Sequence, residues 1–327
     1  MPHLSIGKSK IHFGWDNSVK PAIEMNSGEI INVETKDCFD GQITGSSNSL
    51  DLVSLDPSRD NPVTGPILVN GAEPGDSLKV EILDIKDLGW GMTAVLPGFG
   101  LLRDDSGNSP LDVSGPALKI WKSEKGISKA KFGDIAIEVQ NDPFIGTIGT
   151  APYQKGKWLV IPPRNNGGNM DIKQNKAGST LFLPVSVSGG LLSLGDSHLA
   201  QGDGEVCGTA IEAPTKVKLR VSVLKSKKIS EPYLLFGKGR VIKKVEFLAI
   251  PGISTDLMEA AKIVTRRFIS AFSSFMEPVE AYMLASVCMD LGISEIVDLP
   301  NYIVTGFFPL EVITDLDQRK KVKRSIY

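Results

Sequence analysis

The segment VKLRVSV, residues 217–223, alternates apolar and polar side chains at every position. A period of two places apolar side chains on one face of a β-strand and polar side chains on the other. The same alternation recurs at 31–35, 78–82 and 135–139, between stretches rich in Gly, Pro, Asp and Asn. Residues 29 to about 250 are therefore predicted to form many short strands joined by turns.

Near the C-terminus the apolar period changes to three and four residues, which is typical of an amphipathic helix. Thr255 or Asp256 can cap its start. Pro278 suits the first turn of a second helix, which we expect to end at Gly292. The apolar positions are Leu257, Ala261, Val264, Phe268, Ala271, Phe272 and Phe275 in the first helix, and Leu284, Val287, Cys288 and Leu291 in the second.

The order of these elements predicts an α+β fold. It has a β-rich body with mixed, barrel-like sheets, a C-terminal helical hairpin, and short strands at 302–308 and 310–313. We divide the chain into a β-rich catalytic body, residues 1–251, and a C-terminal part, residues 252–327, packed on the same body as one structural domain.

Composition argues against several classes of protein, including nucleic-acid-binding and membrane-spanning proteins. The 327 residues carry a formal net charge of -2, so no bulk field favours nucleic acid or an acidic membrane. The N-terminus has no signal-peptide pattern, and no apolar run approaches the roughly twenty residues of a membrane span. We expect a soluble, cytoplasmic protein. Cys38, Cys207 and Cys288 form no CxxC pair, which argues against a disulfide framework or a thiolate metal site.

The segment GDSHLAQGDGEVCGTAIE, residues 195–212, gathers four acids, a histidine and a cysteine on glycine-broken backbone. In an extended strand Asp196 and His198 point to one face, where they could bind one metal ion or share one proton. A catalytic site needs a third protein ligand. Candidates for it are Asp37, Asp171 and Glu212.

A bound cation would lower the pKa of water from 15.7 to roughly 7. Glu205 would then serve as the proton shuttle. The plainer interpretation is that the acids organise turns and that His198 is an ordinary hydrogen-bonded histidine.

Other chemistries find less support. GxSxG, HExxH and GxxxxGK[ST] are absent, and the glycines at 202, 204 and 208 do not have dinucleotide-binding spacing. Cys207 beside Glu205 could be a thiol nucleophile, although a small buried cysteine is the commoner role. His12, in IHFGWDN, could line a pocket or serve in packing.

Seven segments together resemble the acetamidase/formamidase family of amide hydrolases, in family order over nearly the whole chain. They are HFGWDNS from His12, ETKDCFDGQI from Glu34, TGPILVNGAEPGDSLKV from Thr64, GTIGTAP from Gly146, PPRNNGGNMD from Pro162, LPVSVSGGLLSLGDSHLAQGDGEVCGTAIE from Leu183, and EAYMLASVCMDLGISEIVD from Glu280.

The resemblance implies hydrolysis of small aliphatic amides such as acetamide or formamide to ammonia and a carboxylate, on a β-rich fold that forms homo-oligomers. It also implies a divalent metal, zinc first and calcium as the alternative. The metal ligands it implies are Asp37, Asp171, Asp196 and His198. Carried over in the same way, Glu205 is the acid/base and Gln42 a substrate contact, and His12 is a further catalytic candidate.

Two other functions stay open at this point. The same site could hydrolyse a cyclic amide, a lactam, or the scaffold could bind a small amide or a divalent ion without turnover. The segment from Asp104 to Asp112 matches no functional motif of the family, and loops of this kind often shape a pocket.

Overall fold

The computed structural model describes residues 4–103, 115–238 and 245–326. The segment Asp104 to Asp112 lies outside these described residues. The strands are β1 (Leu4–Ile6), β2 (Ile11–His12), β3 (Ile23–Asn26), β4 (Ile30–Glu34), β5 (Val63–Asn70), β6 (Ser77–Asp87), β7 (Trp90–Val95), β8 (Ala117–Glu124), β9 (Ile127–Phe132), β10 (Ile135–Gln140), β11 (Phe144–Gly149), β12 (Gly167–Asn169), β13 (Thr180–Pro184), β14 (Leu192–His198), β15 (Glu212–Ala213), β16 (Thr215–Leu224), β17 (Tyr233–Lys238), β18 (Val245–Ser254), β19 (Asp290–Glu295) and β20 (Tyr302–Pro309). The α-helices are α1 (Leu257–Phe272), α2 (Pro278–Cys288) and α3 (Leu316–Ile326), and short 3-10 helices span Ser49–Ser54, Pro57–Arg59 and Leu310–Val312.

The strands form two sheets. One has nine strands in the order β1-β4-β16-β6-β13-β17-β18-β20-β19. The other contains β10-β9-β8-β7-β15-β14-β11-β12, with β5 paired to β14 and both β2 and β3 paired to β5. Strand β1 is parallel to β4 and β3 is parallel to β5, whereas the remaining pairs between these strands are antiparallel. The predicted β-rich fold with mixed sheets is confirmed.

Strand β16 contains the segment 217–223 and lies inside the nine-stranded sheet. It pairs with β6 over ten positions, from Thr215 opposite Asp87 to Leu224 opposite Ser77. Val217, Leu219 and Val221 are buried, as their alternation predicted. The main hydrophobic core also contains Leu192 and Leu194 of β14, so it lies between the two sheets.

Helices α1 and α2 pack on the nine-stranded sheet. The side chain of Asp256 caps α1 by accepting a hydrogen bond from the backbone N–H of Glu259, which is one of the two predicted caps. Phe268 and Phe272 form a second core with Leu248 and Phe308 of the sheet. None of the helices in the described ranges combines the length and apolarity that crossing a membrane requires.

The second helix is shorter than predicted. It ends at Cys288, and residues 290–295 form β19, which pairs antiparallel with β20. Gly292, expected as the helix stop, lies within this strand opposite Thr305. Pairing with β20 has overridden the helical spacing. Glycine suits this position, because a Cβ at Gly292 would meet the Phe307 ring at 3.1 Å. Two further segments also differ from the sequence analysis: 310–312 forms a 3-10 turn instead of a strand, and α3 had not been predicted.

Candidate metal centre

Strand β14 is buried along its whole length and carries both members of the Asp-x-His pair. Asp196 adopts a left-handed backbone conformation, φ +47°, and Oδ1 of its carboxylate lies 3.3 Å from Nε2 of His198. Glu212 of β15 is the register partner of His198, and its Oε2 lies 3.1 Å from the same nitrogen. Two carboxylates from neighbouring strands therefore converge on one imidazole nitrogen.

Two further carboxylates reach this ring from turns. Asp171 follows β12, and its Oδ1 lies 3.9 Å from Nδ1 of His198. Glu205 stands between β14 and β15, with Oε1 4.0 Å from Nε2. Both residues have positive φ angles, +46° and +47°. Such angles are uncommon outside glycine and cluster at functional sites.

The C-terminal part of the chain adds two acids. Glu295, at the end of β19, and Asp298, in the following turn, are buried. Oδ2 of Asp298 accepts a hydrogen bond from Nδ2 of Asn169 at 2.5 Å, and Oε1 of Glu295 accepts one from the backbone N–H of Asp298 at 2.5 Å. Sequence reasoning gave neither acid a role, although both lie in the family-like stretch ISEIVD, residues 293–298.

The described residues bring ligand atoms within 4.8 Å of one another in four sets of three buried side chains. The sets are Cys38, Asp196 and Glu212; Asp171, Asp196 and His198; His198, Glu205 and Glu212; and Asp171, Glu205 and Asp298. They share members and so form one continuous cluster. Carboxylate oxygen and imidazole nitrogen are ligands for zinc, and carboxylates alone suit calcium.

Several buried polar atoms of this cluster have no hydrogen-bond partner among the described residues. They are both carboxylate oxygens of Asp171, Nε2 of His198, Oε2 of Glu212 and Oε2 of Glu295. Nε2 of His198 and Oε2 of Glu212 lie 3.1 Å apart, but not in hydrogen-bond geometry. Buried polar atoms are almost always satisfied, because leaving one unpaired costs about 1–3 kcal/mol, and more for a charged group. The geometry and the ligand chemistry of these atoms fit a bound cation.

Desolvation raises the pKa values of several carboxyl groups in the cluster. Burial, together with the charge of Asp196, raises the pKa of Asp171 to about 6. Burial raises the pKa of Glu212 to about 7 and that of Glu295 to about 8. The pKa of Glu205 lies well above its ordinary range, because the side chain is desolvated and faces Asp171. Without a cation the cluster therefore favours protonated acids.

Asp196 and His198 behave as a charged pair. Burial opposes charge on both, yet Glu212 and Asp196 raise the pKa of His198 well above 6.5. Burial likewise works to raise the pKa of Asp196, but the charge of His198 and several hydrogen bonds bring it below 3.8. The protonated imidazole thus supplies a positive charge among these carboxylates.

Gln201 fixes the orientation of the imidazole. Its Oε1 lies 2.9 Å from Nδ1 of His198, and its Nε2 donates to the backbone carbonyl of Asp171 at 2.9 Å. Because a carbonyl can only accept, the amide oxygen must face His198, and Nδ1 must carry a hydrogen. The lone pair of neutral His198 then lies on Nε2, towards Asp196 and Glu212. Outer partners of this kind orient metal-binding histidines.

Gly146 of β11 forms the wall behind the cluster. A Cβ built on it would lie 2.8 Å from the carbonyl oxygen of Asp196, 2.9 Å from Cε1 of His198 and closer still to Oδ1 of Asp171. Only glycine lets β11 approach these groups so closely.

A cavity of about 300 Å³ opens beside the cluster. On one side it reaches four buried acids and Asn169; on the other it meets apolar side chains and the polar residues Asp60 and Asn61. The acids are Asp196, Glu205, Glu212 and Asp298, and the apolar side chains include Phe39, Leu96, Phe99 and Ile161. A small polar substrate could therefore reach the carboxylates from this cavity.

Comparison with known proteins agrees with the predicted resemblance. The model of the acetamidase/formamidase family matches residues 3–157 and 154–315, nearly the whole chain. The chain belongs to the acetamidase/formamidase family. It is 31% identical to the acetamidase of Mycolicibacterium smegmatis over 308 residues, which covers 76% of this chain and 75% of that protein.

Two solved structures are similar to this family member. The acetamidase of Bacillus halodurans is 32% identical, with a TM-score of 0.85, and the match covers 95% of this chain and 99% of that chain. A gamma lactamase of Delftia acidovorans is 25% identical, with a TM-score of 0.64, over 93% of this chain and 89% of that chain.

In this acetamidase/formamidase family member, Asp37 lies outside the four ligand sets of the described residues. Its Oδ1 accepts hydrogen bonds from the backbone N–H groups of Phe39 at 3.0 Å and Gly41 at 3.2 Å. The carboxylate therefore organises its own turn. The neighbouring Cys38 is the residue of this segment that reaches Asp196 and Glu212.

Gln42 and His12 also lie apart from the cluster. The side chain of Gln42 bonds the backbone of Asp56 twice, with Oε1 accepting at 2.9 Å and Nε2 donating at 3.3 Å. His12 places Nδ1 2.8 Å from the carbonyl of Gly14 and Nε2 2.9 Å from Oγ of Ser193. Neither side chain lines the 300 Å³ cavity.

Cys207 does not face the cavity either. It is half-buried, and its Sγ lies 3.4 Å from the carbonyl oxygen of Thr209. It lines a second cavity, which Glu205 and Thr209 also line.

Proposed function

We propose that this chain hydrolyses small linear amides such as acetamide and formamide, and that it needs a divalent cation to do so. The observation that carries the proposal is the buried cluster of carboxylates around His198, with its unpartnered oxygen and nitrogen atoms, beside a cavity of about 300 Å³. Membership of the acetamidase/formamidase family supports the reaction class.

The number of buried acids around His198 supports the need for a cation. Asp171, Asp196, Glu205, Glu212, Glu295 and Asp298 are all buried. In the described ranges, every ion pair that these acids make has His198 as its partner. Buried charges are paired or bind metals, because an isolated buried ion is very costly. One imidazolium cannot balance six ionised carboxylates, so these acids either keep protons, as their raised pKa values indicate, or bind a cation.

Asp171, Asp196, His198 and Glu212 would hold the cation. Asp171, His198 and Glu212 have unpartnered ligand atoms, and Asp196 shares a ligand set with each of them. A divalent cation in such a site polarises an amide carbonyl and lowers the pKa of bound water. The mixed carboxylate and imidazole ligands suit zinc, whereas the set of Asp171, Glu205 and Asp298 offers only oxygen, which suits calcium.

Glu205 is suited to move the proton. It lines the cavity, and its oxygen lies 4.0 Å from Nε2 of His198. Burial and Asp171 hold its pKa high, so that it can keep a proton near neutral pH. An amide nitrogen leaves readily only after it is protonated, and a positioned acid typically contributes 10²–10⁴-fold to such a step. Glu205 would donate that proton as ammonia departs.

The test is ammonia release from acetamide and formamide before and after chelation, with the metal content measured alongside. We expect turnover to disappear with the metal and to return when zinc or calcium is restored, and the more effective ion identifies the cofactor. Undiminished turnover by protein shown to be free of metal would refute the proposal. Thermal stabilisation by acetamide without ammonia release would instead indicate a binding protein.

A second candidate function is hydrolysis of a cyclic amide. The likeness to the gamma lactamase supports it, as does a cavity at the lower end of the roughly 300–1,000 Å³ range that holds drug-sized ligands. The apolar wall with Phe39, Leu96 and Phe99 could accommodate the carbon ring. The kcat/KM for a five-membered lactam relative to acetamide decides between the two: a ratio above one favours the lactam.

A further inference from the structure

Asp60 is an acid of the cavity that the metal cluster does not use. It follows the 3-10 helix Pro57–Arg59 and lines the same cavity as Asp196 and Glu205. It belongs to none of the four ligand sets of the described residues. Its Oδ1 is buried and has no hydrogen-bond partner in the described ranges. Because buried acceptors are almost always hydrogen-bonded, this oxygen is suited to accept a hydrogen bond from a molecule in the cavity.

The neighbouring residues hold Asp60 in place without neutralising it. The guanidinium of Arg59 pairs with Asp40 instead of Asp60: its Nε donates a hydrogen bond to Oδ2 of Asp40 at 2.7 Å. Asn61 adopts a left-handed conformation, φ +46°, and its backbone N–H donates to the carbonyl of Cys38 at 2.7 Å. Asp60 is thus fixed between two anchors on the 38–40 segment, and the adjacent guanidinium is engaged elsewhere.

The ionisation state of Asp60 also favours a role as an acceptor. Burial, with a smaller effect from Asp56, raises the pKa of Asp60 to about 6. Above pH 7 the side chain is a carboxylate, which can only accept hydrogen bonds. Its natural partner is an N–H or O–H donor that enters the cavity.

We propose that Asp60 accepts a hydrogen bond from the N–H of the substrate amide and so selects substrates that carry such a donor. The inference rests on the proposed amide hydrolysis. An amide has an oxygen end and a nitrogen end, and the carboxylate cluster with its cation accounts for the oxygen end. The nitrogen end of a primary amide brings two donors that need acceptors once water is excluded.

Other acceptors of the cavity wall are hydrogen-bonded, or belong to residues such as Glu212 that would hold the cation. Oε1 of Glu212 accepts from the backbone N–H of Ala210, and Oδ1 of Asn169 accepts from Thr147. Glu205, which holds the transferable proton, is a donor at this stage. Asp60 is the lining carboxylate outside the cluster that keeps a free buried oxygen among the described residues.

The consequence is discrimination by the leaving group. Primary amides should be better substrates than esters or N,N-dialkyl amides of the same acyl group, which have no N–H. A site that hydrogen-bonds a substrate N–H can reject an analogue without it by several orders of magnitude, because the buried acceptor is then left unpaired.

The experiment compares Asp60→Leu, Asp60→Asn and the control Asp56→Asn with the unmodified protein. Asp56 lies in the same loop but is exposed and outside the cavity. Its Oδ1 accepts a hydrogen bond from the backbone N–H of Ser58. For each protein, kcat and KM are measured with acetamide and with methyl acetate, and the bound metal is quantified. If the unmodified protein does not hydrolyse the ester, the inhibition constant of N,N-dimethylacetamide replaces it.

We expect Asp60→Leu to lower kcat/KM for acetamide by roughly 10–100-fold, the range for a lost hydrogen bond to a charged group. The value for the ester, which has no N–H, should stay nearly constant, and the metal content should not change. Asp60→Asn keeps an acceptor oxygen and should lose less, and Asp56→Asn should resemble the unmodified protein.

Equal losses on both substrates, no loss on acetamide, or loss of the metal would each overturn the role of Asp60. Failure of the proposed function gives a different result: the metal-loaded unmodified protein then releases no ammonia from any amide.

Discussion

Oε1 of Gln201 lies 2.9 Å from Nδ1 of His198, while the amide nitrogen of the same side chain holds the carbonyl of Asp171. One residue therefore sets the tautomer of the imidazole and ties two parts of the candidate metal centre together. We expect Gln201→Leu to weaken metal binding about 10–100-fold, as is typical when an outer partner of a ligand is removed. Metal titration of the stripped protein measures this. Gln318→Leu, on the exposed face of α3, is the control and should bind metal normally.

Gly146 offers a second test, because any side chain there must displace the cluster. The added methyl of Gly146→Ala would lie 2.9 Å from Cε1 of His198 and 2.8 Å from a backbone carbonyl that cannot move freely. We expect a loss of about 1–3 kcal/mol in the free energy of unfolding, together with weaker metal binding. Urea denaturation and metal titration measure the two effects. Gly45→Ala, which meets nothing within 4 Å, should stay within about 0.5 kcal/mol.

Glu205→Gln separates proton transfer from metal binding. The amide has nearly the same shape as the acid but has no proton to give, so we expect kcat for acetamide to fall by roughly 10²–10⁴-fold. Bound metal should remain if other residues supply the principal ligands. The control is Asp203→Asn in the same turn, whose carboxylate is half exposed and pairs with Lys173. Loss of metal from Glu205→Gln would make Glu205 a ligand and contradict its role as the acid.

Asp37→Asn tests the position of that residue outside the ligand sets. The carboxylate accepts two backbone hydrogen bonds within its own turn, so its replacement should cost about 1 kcal/mol of stability and leave metal affinity unchanged. Isothermal titration with zinc and thermal unfolding give the two values. A large fall in metal affinity would restore Asp37 to the ligand set that the family resemblance implied.

The pH dependence of stability should differ between metal-free and metal-loaded protein. The folded pKa values of Asp171, Glu212 and Glu295, about 6, 7 and 8, lie above those of unfolded Asp and Glu. The folded state therefore binds more protons than the unfolded state between about pH 4 and pH 8, and unfolding free energy must fall as pH rises through this window. The raised pKa of His198 acts in the same direction, and the lowered pKa of Asp196 acts only below pH 4.

We accordingly expect the melting temperature of metal-free protein to drop from pH 5 to pH 8. Stabilisation by added metal should grow over the same range, because the ion replaces protons on these carboxylates. Thermal unfolding at several pH values, with and without zinc, measures both trends. A melting temperature of metal-free protein that rises with pH would show that the acids are not desolvated as the structure has them.

Local patterns predicted the strands well, because alternation depends only on neighbouring residues. Val217, Leu219 and Val221 are buried as their spacing required. The end of α2 could not be found in this way. The apolar residues at 284, 287, 288 and 291 fit a helix, but Leu291 pairs with Gly306 of β20, which is a contact between distant parts of the fold.

In the candidate site, too, local spacing predicted some of the residues, whereas others depend on contacts between distant parts of the chain. Asp196 and His198 share a strand, so their approach followed from a period of two, and Glu205 and Glu212 belong to the same glycine-rich segment. Glu295 and Asp298 reach the cluster only through the pairing of β19 with β20 and the turn that follows it. Asp60 enters the cavity because its loop is anchored to the 38–40 segment. No spacing in the sequence encodes those approaches.

The late position of Asp298 has a consequence for biosynthesis. While the ribosome is still adding α2, the nascent chain already has β14 and its histidine, but the acids that close the far side of the cluster have not been made. A product released early would therefore lack Glu295 and Asp298. We therefore expect a chain that ends before β19 to bind a divalent cation more weakly than the full chain, because it lacks Asp298 and its ligand set.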